Sequence, residues 1–242
     1  MKQFFSAGII MKTTILASAL VLSFLGMPFS CSPKHIPSGT VFAHTALTNH
    51  QTVCGSISAK NTQFTSLTVY GDRLNPGIAD LENCQASGHV NVTGKLISKG
   101  NTFGSLSKLG SGELRSTTIK GALSSTGKTT AIDCILASFS GTGSASLENT
   151  QVQETISNTG KVNVCNSKCK KLSVTGSVNA KNFSCENVSV TGKTELADSS
   201  IQDTTHITGK TTITDSSLKT LEVTGKAIVK NSSVQTASVT GS

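Results

Sequence analysis

Residues 209–224 read G-K-T-T-I-T-D-S-S-L-K-T-L-E-V-T, and residues 225–240 read G-K-A-I-V-K-N-S-S-V-Q-T-A-S-V-T. In the first unit, apolar or compact residues stand at Thr211, Ile213, Ser216, Leu218, Leu221 and Val223. In the second, Ala227, Val229, Ser232, Val234, Ala237 and Val239 hold the same offsets. The steps between these positions run two, three, two, three, two, then four into the next unit. A step of two puts both side chains on one face of a short strand, and each longer step carries a bend. Three pairs and three bends describe one turn of a three-sided coil.

The same offsets recur upstream. From Gly176 they fall on Val178, Ala180, Phe183, Cys185, Val188 and Val190, and from Gly127 on Thr129, Ala131, Cys134, Leu136, Phe139 and Gly141. The glycine beat itself runs back from Gly241 through Gly225, Gly209, Gly192, Gly176, Gly160, Gly143, Gly127, Gly110, Gly94 and Gly77 at intervals of 16 or 17 residues, with Gly71 and Gly55 one more step apart. A repeat this short is one turn of a solenoid, which buries its apolar strip only by stacking on its neighbours. The expectation is an all-β chain: a single-stranded parallel β-helix of triangular cross-section, with 16–17 residues per turn and 11–12 turns over residues 55–242. Stacking at about 4.8 Å per turn makes a rod of roughly 50 Å. Residues 32–54 form an N-terminal segment that reads as an imperfect first turn from Gly39, with Val41, Ala43 and Val53 inward. Six residues after each glycine come Asn61, Asn83, Asp133, Asn149, Asn166, Asn182, Asp198, Asp215 and Asn231, residue types that accept a left-handed corner. The D-R-L-N-P segment from Asp72 to Pro76 interrupts the beat and reads as a surface loop.

Composition agrees with a thin rod. The 242 residues are only 36% apolar, with one Tyr and no Trp, too little for a conventional core of this length but enough for a narrow inward strip. The formal charge is +8, and Lys95, Lys128, Lys161, Lys193, Lys210 and Lys226 each follow a repeat glycine. Without interleaved aromatics or arginines, this spread of lysine reads as a solvated edge, and no nucleic-acid partner is expected.

Residues 1–31 read as a signal peptide, with Met11 as a candidate start. From Met11 the chain runs M-K-T-T-I-L-A-S-A-L-V-L-S-F-L-G, one lysine followed by an apolar stretch too short for a membrane span. Cys31 stands where a lipoprotein cysteine would and is the candidate lipidation site, although Pro28-Phe29-Ser30 departs from the usual triplet. Export to the periplasm, outer membrane, cell surface or medium is expected, with membrane contact only through such an anchor.

No catalytic, cofactor-binding or metal-binding residues are expected. S-S-T-G-K-T-T around Gly127 resembles a phosphate loop, but Gly121 and Gly127 enclose five residues rather than four, and the repeat provides no following helix. His35, His44, His50, His89 and His206 lack metal-ligand spacing. Asp198 and Asp215 share a corner column with Asn182 and Asn231, which reads as a structural ladder rather than a catalytic acid pair. Cys84 and Cys134 share an inward offset three turns apart, too far to bridge. Cys169 and Cys185 share an inward offset in adjacent turns and are the candidate disulfide, whereas Cys165 points outward and Cys54 sits beside a corner.

The serial turns V-T-G-K-T-E-L-A-D-S-S-I and V-T-G-K-A-I-V-K-N-S-S-V, with their paired inward aliphatics, resemble those of the bactofilins over about residues 55–242. Bactofilins are polymer-forming bacterial proteins with a short triangular β-helix, so the resemblance implies that fold. Bactofilins are typically cytoplasmic with acidic, Gly-rich turns, whereas this chain carries an export signal and Ser/Thr-rich turns. Three functions follow in order of expectation. The first is an exported, non-enzymatic scaffold of the bacterial envelope or surface that associates with itself end to end. The second is a binding module whose Ser/Thr/Lys outer face takes an envelope glycan or another surface protein. The third, a polysaccharide-active enzyme, needs an acidic cluster that the sequence does not offer.

Overall fold

The computed structural model describes residue 36 and residues 38–71 and 76–241. The signal-peptide and Cys31 lipidation readings, and Asp72–Asn75 of the expected loop, lie outside the described residues. From Thr40–Ala43 to Ser233–Thr240, strands join in one parallel sheet that winds into a β-solenoid of about 12 turns. Glycine registers on glycine throughout: Gly192 on Gly209, and Gly209 on Gly225. The inward columns follow, with Leu196 on Ile213 and Ile213 on Val229. Leu96, Phe103, Phe139, Phe183, Ile213 and Leu218 are all buried in the single core that runs along the axis.

Each of the three corners has its own chemistry. At the first, Gly192 takes a φ of 137°, and a Cβ there would strike the carbonyl oxygen of Gly176 in the preceding coil. Only glycine combines that backbone with such close stacking.

At the second corner, all nine Asn and Asp residues expected there have φ between 47° and 54°. Neighbouring side chains join hands along the rod: Asn182 Nδ2 donates to Asn166 Oδ1 at 2.8 Å, and Asn166 Nδ2 to Asn149 Oδ1 at 3.2 Å. His44, Gly100 and Ser116 take the same conformation, and the Asn/Asp pattern did not reveal them. The next residue points inward and is usually Ser, Thr or Cys. There the N–H of Ser199 donates to Ser216 Oγ at 3.0 Å, and Ser216 Oγ–H donates to the Thr214 carbonyl at 2.7 Å. A buried hydroxyl is thereby satisfied twice while capping a corner amide, which removes the cost of burying it.

The third corner absorbs the difference between 16- and 17-residue turns. The register shifts fall there, between Cys185 and Val188, between Ile201 and Thr204, and between Ala86 and His89. The other two corners therefore stay in strict register.

The first coil corrects one expectation. Val41 is 72% exposed and Ala43 is also exposed, whereas Thr40 and Phe42 face inward, registered on Ile57 and Ala59. Ser38, not Gly39, lies under the Gly55 corner, where a Cβ on Gly55 would strike the Ser38 side chain. Aligning the turn on Gly39 displaces the frame by one residue, and a one-residue slip reverses every side chain of a strand. Val53 is buried as expected.

Candidate functional site

The outer surface divides into three long sides. On the side before the glycine corner, S-x-T triplets recur in five successive coils, at Ser124, Ser140, Ser157, Ser173 and Ser189, each followed two residues later by a threonine. Ser124 registers on Ser140 and Thr126 on Thr142, and the pattern continues to Ser157 and Thr159. Because alternate residues share a face, these make two parallel ranks of hydroxyls about 4.8 Å apart along the rod. Beyond the glycine corner, the exposed Lys193, Lys210 and Lys226 stand in one column. Lys193 Nζ lies 2.6 Å from Glu195 Oε1, and this contact, reinforced by the charges of Lys210 and Lys161, holds the Glu195 carboxyl below its usual range.

The cysteines divide into two kinds. Cys84 and Cys134 occupy the hydroxyl column of the second corner, where their thiols donate to the carbonyls of Glu82 at 3.3 Å and Ile132 at 3.2 Å. They act there as serine substitutes, and burial pushes both thiols up from their ordinary pKa. The structure brings Cys169 and Cys185 together, with their sulfurs 3.3 Å apart and both present as thiols. The contact between the two thiols lowers the Cys185 pKa and, with burial, raises that of Cys169. A surface groove of about 240 Å³ opens over the pair and includes Gln153, Lys168, Lys170 and Glu186. A second groove of about 350 Å³ lies over Leu47, Phe64 and Ala86.

Sequence reasoning missed a buried lysine. Lys108 is 3% exposed and stands in the inward column two residues before the corner glycine. Its Nζ donates to the carbonyls of Lys128 at 2.8 Å and Gly110 at 3.1 Å, and burial lowers its pKa to about 8. Counting its offset from Gly110 would have found it.

The remaining candidates are dispersed. Asp198 and Asp215 are exposed in the left-handed corner column, and Lys128 lies exposed on a strand. His50, His89 and His206 reach along the rod to Ser66, Ser105 and Glu222 at 2.6, 2.8 and 3.2 Å. Among the described residues no three His, Cys, Asp or Glu side chains converge on a metal-sized site. The geometry defines a parallel β-solenoid with extended, regular surfaces. No protein-family model, curated protein or solved structure matches the chain.

Proposed function

We propose that this chain is an exported, non-enzymatic scaffold of the bacterial envelope or surface, and that it associates with itself through its last described coil. The observation that carries the reading is exposure of the inward columns there. Val229 is 40% and Val239 48% exposed, whereas Ile213 and Val223, one coil earlier in the same columns, are 0% and 3% exposed. Among the described residues the strand Ser233–Thr240 pairs only with the coil before it, and an edge strand of this kind templates a further strand. The apolar stretch after Met11 supports export, and the V-T-G-K turns support a bactofilin-like capacity to polymerise. Sedimentation over a wide concentration range should show concentration-dependent oligomers, and Val229→Asp with Val239→Asp should dissolve them without unfolding the rod. A wild-type protein that stays monomeric throughout would overturn the reading.

A second reading is a binding module that takes a neutral or acidic envelope glycan on its outer face. The two hydroxyl ranks beside the lysine column favour it, since a repeating polymer can meet a repeating surface at many weak points. Cell-wall polysaccharide should then retain the wild type in a pull-down, and replacing Thr142, Thr159 and Thr175 with Glu should release it.

A further inference from the structure

We propose that Cys169 and Cys185 are an oxidisable thiol pair whose disulfide ties two successive coils together. This inference is independent of the scaffold reading. The fourth inward column is otherwise apolar where the core is buried: Phe103, Ile119, Leu136 and Val152 precede the pair, and Ile201 and Leu218 follow it. Two consecutive cysteines in that column bring their sulfurs to 3.3 Å, already in contact. The coil rise of about 4.8 Å falls inside the Cα separation of about 4.4–6.8 Å that a disulfide spans, so the bond closes without moving the ladder. Access is graded as well. Both cysteines line the groove, and Cys169, at 8% exposed, is the more accessible, with Cys185 at 1%.

That order sets the chemistry. With a small-molecule disulfide as oxidant, Cys169 gives its proton to water and its thiolate attacks one sulfur of the oxidant, breaking the oxidant's sulfur–sulfur bond. One small thiolate leaves, and the mixed disulfide remains on Cys169. Cys185 then gives its proton to water and attacks the Cys169 sulfur as a thiolate, expelling the second small thiolate, and the two released thiolates take up the two protons from water. Two protein thiols and one small disulfide thus become one protein disulfide and two small thiols. Cys84 and Cys134 have no such partner, because they stand three coils apart in their own column.

The test is incubation of the full chain with oxidised glutathione, followed by intact mass and peptide mapping without reductant. The expected product is lighter by two hydrogens, carries no glutathione, and joins the Cys169 and Cys185 peptides. Its melting temperature should rise by about 5–10 °C and return on reduction. Cys169→Ser should yield no bridge. Cys185→Ser should stop at a glutathione adduct on Cys169, and Cys165→Ser should behave as wild type. A wild-type chain that keeps both thiols, or that ends as a stable adduct on Cys169, would overturn the proposal, and neither measurement depends on how the variants fold.

Discussion

The middle coils and the later ones solve the same packing problem in opposite ways. In the inward column two residues before the corner glycine, the middle coils carry Lys108, Ser125, Gly141 and Asn158, and the later coils carry Val174, Val190, Ile207 and Val223. The middle coils make room and find partners. A Cβ on Gly112 would run into the Lys108 stem, and one on Gly141 would meet Asn158 Oδ1. Ser125 and Thr129 pair their hydroxyls at 2.6 Å across the corner, and Asn158 Nδ2 donates to the Gly143 carbonyl at 3.1 Å. In the later coils Thr194 and Thr211 occupy the column of Thr129, but the residues across the corner are Val190 and Ile207. The Thr194 and Thr211 hydroxyls are buried without a hydrogen-bond partner, as is that of Thr205. The backbone ladder thus fixes the coil in both regions, and polar lumen residues are tolerated where the column across the corner answers them.

Putting a lysine into the wrong region gives the largest effect. Val190→Lys should cost about 3–5 kcal/mol, because Thr194 blocks the space that Gly112 provides for Lys108. Adding Thr194→Gly should restore part of the loss in urea unfolding. Equal stability of Val190→Lys and wild type would show that the lumen does not discriminate.

The converse change is smaller and has a pH signature. Lys108→Met should stabilise by about 1–3 kcal/mol at neutral pH, since a buried charge gives way to a side chain of similar length. The folded chain releases the Lys108 proton at about 8 and the unfolded chain near 10.5. Between those values the unfolded state holds more protons, so the contribution of Lys108 to stability rises with pH through that window. The buried thiols of Cys84 and Cys134 act in the opposite sense. With folded pKa values raised above the ordinary 9.0, their contribution is present below it and is lost as pH climbs. Both proteins share that loss, so the gap between Lys108→Met and wild type isolates the lysine and should narrow from pH 8 to 10.5. A constant gap would refute the assignment.

The threonine column should give the smallest effects, with a change of sign. Thr194→Val and Thr211→Val should each stabilise by about 1 kcal/mol by removing an unpaired hydroxyl, and Thr129→Val should destabilise by about as much by stranding Ser125. Chemical denaturation midpoints would resolve the two directions.

Most of this architecture can be read from the sequence because the side-chain period and the corner residues repeat each other's message. Ile213, Leu218, Leu221 and Val223 are buried where the spacing puts them, and the nine Asn and Asp residues adopt the left-handed corner their chemistry favours. Three things escaped. The Gly39 turn was set one residue out of frame because its corner is a serine. Gly100 and Ser116 hold left-handed corners without the Asn/Asp signature. Lys108 was hidden because its column reads as aliphatic in the V-T-G units, and its acceptors are carbonyls, which leave no mark in a sequence. The shared offset of Cys169 and Cys185 was legible, but the groove above them required three dimensions.

The hydroxyl column of the second corner makes the rod a vector. The N–H of Thr150 donates to Ser167 Oγ, that of Ser199 to Ser216 Oγ, and that of Ser216 to Ser232 Oγ, always from the earlier coil to the later. Turn one rod end over end and these amides would face amides. If copies associate as proposed and continue this column across their junction, they would all point the same way and form a polar thread. One tip of such a thread offers hydroxyl oxygens and the other offers N–H groups, so its two tips would grow at different rates.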